Sequence, residues 1–465
     1  MINKTKIICT IGPASSSVKV LEKLISKGMD VARLNFSHGD FKTHLEYIKN
    51  VRAAAKNKFI PIMQDLQGPK IRVGKLNNGL IKLIDGKKIT ITSKEVLGNE
   101  QCFSTTYKDF VQDVKKGEYI LMDDGLLRLR IIKITKNEVT CIILKGGVLK
   151  EHKGINLPNT KISLPSLTDK DRENLVFGLK HNVDAVALSF VRKAEDILEL
   201  KRLIAKHGRN VPVVAKIERP EAIDNIDEII DAADVIMVAR GDMGVEISPE
   251  DVPILQKIII KKCNKKHKPV ITATQMLESM TNSRIPTRAE ATDVANAILD
   301  GTDCVMLSGE TSVGVDPLNV VETMEKIIAR AERFRKPVLE NSDELKDELK
   351  SICKSAVTLA NDISAKAIVT FTKTGKSPRY LSAYRVNTEI VAITEDDYIN
   401  AYNHFRWGVF GIKIKKSMTE DEITEFTLKE LSKARILKSR DKAILLLSSS
   451  RDKYKSADTI RVVVK

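Results

Sequence analysis

The sequence has no uninterrupted apolar run of membrane-spanning length, and its first residues form no signal-like apolar core. It therefore reads as a protein with no membrane partner and an expected cytoplasmic location. The six cysteines, at 9, 102, 141, 263, 304 and 353, include no C-x-x-C pair. That argues against a zinc site or a disulfide framework and leaves free thiols. Aromatic residues make up only 5% of the chain, and no basic strip is interleaved with them. The net charge of +16 thus points away from nucleic acid and towards small phosphorylated anions. In the densest basic stretch, KIIIKKCNKKHK at 257–268, the apolar residues keep helical spacing, so the lysines read as a solvated face.

What is present is a globular composition, 42% apolar and 30% charged, in a chain long enough for several cores. Its organising stretch is VPVVAKIERPEAIDNIDEIIDAADVIMVARGDMGVE at 211–246. Val211 to Ala215 reads as a buried strand that delivers Lys216 and Glu218 on one face. Pro220 opens a helix with Ile223, Ile226, Ile229 and Ile230 at helical spacing, and a second strand, Val235 to Ala239, ends in Arg240, Gly241 and Asp242. A right-handed βαβ unit sets the two strand ends side by side. Glu218 and Asp242 then converge beside Lys216, a pairing that suits Mg²⁺ (or Mn²⁺) and an anionic substrate. The alternative is an ion-paired rim of Lys216 with Glu218 or Asp242.

The same rhythm runs along the chain, with strands expected at the opening KIICTIGP, at Val31 to Phe36, Ile60 to Leu66, Asp184 to Phe190, Pro269 to Ala273 and Cys304 to Leu307. A T-x-x-D capping box at Thr168 starts the helix carrying Leu175, Val176 and Leu179, and Ser248-Pro249 is expected to start another. Eight βα units predict an α/β fold with a (β/α)8 TIM barrel, residues 1–70 and 166–336. Short β-rich runs over 71–165 predict an inserted β lid domain, and 337–465 alternates again as a C-terminal open α/β domain. Arg33, Asn35, Asp65, Lys216, Glu218, Gly241, Asp242, Thr274, Ser308 and Glu310 all fall at or just past C-terminal strand ends, where barrel active sites lie.

The strings KIICTIGP (6–13), ARLNFSHG (32–39), QDLQGPKIR (64–72), KGINLP (153–158), AKIERPEAI (215–223), VARGDMGVE (238–246), ATQMLESM (273–280) and MLSGET (306–311) resemble the pyruvate kinase family over nearly the whole chain. The resemblance implies transfer of a phosphoryl group from phosphoenolpyruvate to ADP, giving pyruvate and ATP, in a homotetramer. It places Mg²⁺ on Glu218 and Asp242 and makes Lys216 the stabiliser of transferring charge. Gly241, Asp242 and Thr274 would receive the substrate carboxylate. Arg33 and Arg72 would grip phosphates, with Lys153 and His38 at the nucleotide. Thr274 and Ser308, with Glu310 behind them, would form the proton route. A barrel lyase or aldolase acting on pyruvate enolate is the competing enzyme reading, and an inactive basic barrel is the competing reading outside enzymes.

The resemblance also places a monovalent-cation region at Asn35, Ser37, Asp65 and Leu66. Here the string Asp65-Leu66-Gln67-Gly68-Pro69-Lys70-Ile71-Arg72 has Lys70 where K⁺-requiring relatives carry glutamate. An ammonium there supplies the charge that K⁺ would bring, so K⁺ is not expected to be required; the alternative is that Lys70 faces solvent. In the third domain TKTGKSP (372–378) is no Walker loop, since Thr370 stands where a glycine is needed. It resembles the family's effector loop, with Thr372, Thr374 and Ser377 set to bind a sugar phosphate or nucleotide. The second effector loop, SSSRDKYKSAD (448–458), lacks the expected glycine.

Overall fold

The computed structural model describes residues 3–56, 58–158, 160–335, 347–415, 419–448 and 457–465. Eight parallel strands close into a barrel: β1 (Lys6–Thr10), β2 (Met29–Asn35), β3 (Ile62–Asp65), β4 (Ala185–Leu188), β5 (Val213–Ile217), β6 (Val235–Ala239), β7 (Val270–Ala273) and β8 (Cys304–Leu307), with β8 pairing back onto β1. Strand alternation sorts their side chains. Ile8, Val31, Met63, Val214, Met237, Ile271 and Met306 fill the interior, while Ile7, Leu34, Ile62, Val213, Ile236 and Val305 pack outward against the helices. Continuing that alternation aims Thr10, Arg33, Asn35, Asp65, Lys216 and Glu218 into the barrel mouth. The opposite end is plugged by Tyr402 and Phe405, and the Tyr402 hydroxyl donates to the carbonyl of Asp234 at 2.9 Å.

Local chemistry sets the helices. Thr168 and Asp171 form the expected reciprocal capping box at Asp169–Lys180, a device worth about 1 kcal/mol. Asp316 caps Pro317–Glu332, with proline at the first turn. Several details differ from the sequence reading, and β2, β3, β4 and β7 are bounded one or two residues away from the expected limits. Strand β5 starts at Val213 rather than Val211, because Pro212 has no N–H to give a neighbour. The helix from Pro220 breaks at Asn225 into Pro220–Asp224 and Ile226–Ala232, and the Asn225 amide donates to the carbonyl of Arg192. After β6 the chain turns at once into the short helix Arg240–Glu246, so the long helix starts at Val252 and not at Ser248-Pro249. Val176 is 41% exposed rather than in the core.

Between β3 and Asp169 lie a six-stranded sheet and a two-stranded sheet with their own core around Phe103, Phe110 and Leu129. The C-terminal sheet runs through Ala367–Phe371, Glu389–Thr394, Val409–Lys413 and Lys442–Leu447 in parallel, closed by the antiparallel strand Thr459–Val464. Among the described residues no helix is long and apolar enough to cross a membrane.

Candidate active site

The barrel mouth is built around one ammonium. Lys216 Nζ donates to Ser189 Oγ at 2.7 Å and lies 3.0 Å from Glu218 Oε1 and 3.2 Å from Asp65 Oδ1. Ser189 Oγ donates in turn to the carbonyl of Leu66 at 2.6 Å. Arg33 closes the cluster, with Nε on Asp65 Oδ2 at 2.8 Å and Nη1 on Thr10 Oγ1 at 2.9 Å. Asp65 and Glu218 are 1% and 0% exposed. Burial lowers the Lys216 pKa, but Asp65 and Glu218 outweigh it and hold the group above the ordinary lysine range. Burial likewise raises the Asp65 carboxyl, yet Lys216 and Arg33 bring it below its usual value.

Glu218 behaves in the opposite way. Burial drives its carboxyl upward, Lys216 opposes this, and the charge of Asp242 raises it further. Its Oε2 accepts from the Phe190 N–H at 2.7 Å, while Oε1 is met by the Lys216 ammonium at 3.0 Å. A buried carboxylate raised by its neighbour's charge, together with that neighbour, forms a donor pair suited to a hard cation. Among the described residues no group of three or more His, Cys, Asp or Glu side chains could hold a metal. A cation here would draw its remaining ligands from substrate and water, which is the habit of Mg²⁺. The ion-paired rim foreseen as an alternative thus exists for Lys216 and Glu218, but it leaves Glu218 short of positive charge.

Past β7 the backbone is strained. Thr274 and Gln275 sit at φ 66° and 53°, a left-handed pair that a β-branched residue rarely enters and that marks functional turns. Arg240 holds it: Nη2 donates to the carbonyl of Thr274 at 2.7 Å, Nε to that of Ala273 at 3.3 Å, and Nη1 meets Asp293 at 2.6 Å. The sequence reading noticed Arg240 only as a strand end. Gly241 N–H donates to Thr274 Oγ1 at 2.7 Å, and the Thr274 hydroxyl donates to the carbonyl of Ala273 at 2.6 Å, so both candidate carboxylate donors are occupied. Ser308 Oγ is buried without a partner, and its N–H donates to Glu310 Oε2 at 2.6 Å.

Other candidates lie further out. Lys70 is exposed and lines a cleft between barrel and β-rich unit together with Asn156, Asp242 and Glu246. The cations at Asp65 are Arg33 and Lys216, not Lys70. His38 is exposed. Desolvation first, then Arg72, Lys70 and Arg33, hold its imidazole below the ordinary range, so the charge of Lys70 is felt at this rim. Arg72 donates to the carbonyl of His152, and Lys153 is paired with Asp123 at 2.6 Å, both within the β-rich unit. Asn35 Oδ1 accepts from the Ser37 N–H at 3.1 Å. In the C-terminal unit Thr372 Oγ1 accepts from the Gly375 N–H at 2.9 Å, Ser377 is buried and Thr374 is exposed. Of the second effector loop, residues 449–456 lie outside the described residues.

Residues 2–321 match the family model described as pyruvate kinase, barrel domain, and residues 350–463 match pyruvate kinase, alpha/beta domain. The chain belongs to the pyruvate kinase family. Among similar proteins, the pyruvate kinase of Geobacillus stearothermophilus is 44% identical over 458 residues, covering 96% of this chain and 77% of its own. That of Staphylococcus aureus (strain MRSA252) is 46% identical over 430 residues, covering 91% and 74%. The crystal structure of a pyruvate kinase from Cryptosporidium parvum superposes with a TM-score of 0.93 at 40% identity, covering 99% of this chain and 96% of that one. These pyruvate kinase matches make the chain a phosphotransferase and lend no support to the lyase or aldolase alternative.

Proposed function

We propose that the barrel mouth transfers the phosphoryl group of phosphoenolpyruvate to ADP, giving ATP and pyruvate. The observation carrying this reading is the buried cluster of Arg33, Asp65, Lys216 and Glu218, whose cations face the open mouth. A largely dissociative transfer asks for positioning and neutralisation rather than a protein nucleophile. Lys216 stabilises charge on the transferring group and on the enolate oxygen, and Arg33 grips the phosphate. Glu218 and Asp242 would hold Mg²⁺, or Mn²⁺ in its place, which would supply neutralisation of the substrate's negative charge. Gly241 and Asp242 with Thr274 receive the carboxylate, with Gly241 N–H exchanging its present Thr274 partner for the substrate. Arg72, Lys153 and His38 attend the nucleotide, Lys153 by leaving Asp123. Thr274 and Ser308, with Glu310, carry the proton to the enolate carbon, for which the unbonded hydroxyl of Ser308 is available.

The wider reading keeps a barrel at 1–70 and 166–336, a β lid at 71–165 and a C-terminal domain at 337–465. It also includes a cytoplasmic homotetramer with no nucleic-acid or membrane partner, and an effector, sugar phosphate or nucleotide, at Thr372, Thr374 and Ser377.

Two expected results follow from the geometry. Arg240→Gln should lower kcat about tenfold or more, because the strained Thr274 turn loses the guanidinium that fixes it, while the Mg²⁺ midpoint stays unchanged. An unaltered kcat with only a lower Tm would make Arg240 purely structural. Phosphoenolpyruvate consumption should require ADP and Mg²⁺ or Mn²⁺, and should run at full rate when the only monovalent cation is bulky and organic. Asn35, Ser37, Asp65 and Leu66 form the region concerned, and Lys70, exposed and not paired with Asp65, adds positive charge at its rim, where His38 feels it. Lys70→Glu should therefore create a K⁺ requirement. Strong activation of the unmodified protein by K⁺ at constant ionic strength would refute this.

A further inference from the structure

At the barrel end opposite the active site, a cleft of about 890 Å³ opens between the helix Val252–Lys265, the segment entering β7 and the helix Lys376–Ala383. Its walls carry five lysines and four arginines but only two aspartates. Both aspartates are taken. Asp303 accepts from Arg385 at 2.8 Å and from the Trp407 N–H at 3.2 Å, and Asp300 pairs with Lys257 at 2.5 Å.

The remaining guanidinium groups have donors to spare. Among the described residues Arg335, Arg379 and Arg406 enter no ion pair, and Arg335 Nη1, Arg379 Nε and Arg406 Nε are buried with no hydrogen-bond partner. Arg406 is 3% exposed, and among the described residues its side chain's one hydrogen bond is a long 3.4 Å contact from Nη1 to the carbonyl of His267. Each buried unmet donor costs about 1–3 kcal/mol, so three around one cavity point to an acceptor that the described chain does not supply. The neighbouring side chains show the same excess of positive charge. Burial and then the surrounding cations lower His267 to about 4, and burial with Lys201 and Arg406 lowers Lys268 to about 8 against the pull of Asp234.

We infer that this cleft binds a phosphate monoester, its dianion met by the forks of Arg335, Arg379 and Arg406 and its organic part lying against His267, Tyr380 and Tyr384. Planar guanidinium forks match phosphate oxygens in pairs, and a small anion fits an enclosed cavity that a polymer cannot enter. The site is distinct from the loop at Thr372–Ser377, although the helix Lys376–Ala383 borders both. It also touches the machinery from behind, since Pro269 at its wall precedes β7, whose far end carries Thr274.

Calorimetric titration of the full chain with orthophosphate, adenosine monophosphate and glucose 6-phosphate, each in phosphate-free buffer, tests the inference. The three arms separate a bare phosphate, a nucleotide and a sugar phosphate. At least one should bind, and its affinity should fall about 10- to 100-fold in Arg406→Gln, the scale of one charge-assisted hydrogen bond. The double variant Lys261→Glu, Lys265→Glu, on the exposed lip of the cleft, should weaken it too and carries the test should Arg406→Gln fail to fold. Thr374→Ala with Ser377→Ala removes the effector-loop contacts and should leave a binding event that Arg406→Gln still weakens. No binding by any of the three, or binding untouched by both cleft variants, would overturn the inference.

Discussion

Lys216→Met is expected to cut turnover by at least ~10²-fold, the scale seen when one preorganised stabiliser of developing charge is removed. Methionine keeps the length and apolar contacts of the lysine stem and removes only the ammonium. That ammonium is the one group touching Asp65, Glu218 and Ser189 together. Its loss leaves Asp65 with Arg33 alone and Glu218 with no cationic partner among the described ion pairs. The protein should therefore also be less stable, by up to about 3–5 kcal/mol if the orphaned carboxylate stays ionised. Turnover must accordingly be measured well below the variant's Tm. Substrate and Mg²⁺ binding, followed by titration, should stay nearly intact, which separates a lost chemical step from a lost fold. Near-normal turnover would remove Lys216 from the mechanism.

Glu218→Gln and Asp242→Asn should each raise the Mg²⁺ midpoint and depress activity together. The shift should be about tenfold or more, since even partners that only orient a metal ligand cost 10- to 100-fold when lost. In the folded chain Glu218 is pushed upward by burial and by Asp242, with Lys216 opposing. Removing either carboxylate relieves that repulsion, so the apoprotein should not lose stability in proportion to the activity it loses. That mismatch marks a ligand rather than a structural ion pair. Identical Mg²⁺ midpoints in both variants and the unmodified protein would place the metal elsewhere.

Much of this site could be read from the sequence because barrel strands impose a period of two. Once β5 is placed, Lys216 and Glu218 must share the inner face, and the same rule puts Arg33 and Asn35 together on β2. Strands β6 and β8 carry the expected bounds, since uninterrupted apolar runs end there in polar residues. Contacts that depend on closure were not legible. Lys216 meets Asp65 only because β4 lies between β3 and β5 in the closed barrel, with Ser189 bridging the two. The left-handed turn at Thr274-Gln275 carries no glycine to announce it. The grip of Arg240 on that turn joins residues far apart in the chain, and no periodicity encodes it. One helix start failed for a local reason: Ser248-Pro249 looks like a helix entry, but the chain uses those residues for a turn closed by the Asp251 N–H on the carbonyl of Ser248.

The most direct measurement is phosphorus NMR of the purified protein with phosphoenolpyruvate, ADP and Mg²⁺, with pyruvate counted in the same sample. The phosphoenolpyruvate resonance should disappear as the γ-phosphate of ATP grows, with one pyruvate formed for each ATP, and Lys216→Met should abolish both on the same timescale. Release of free phosphate with ADP unchanged, or no loss of phosphoenolpyruvate at all, would contradict the assignment of phosphoryl transfer to this site.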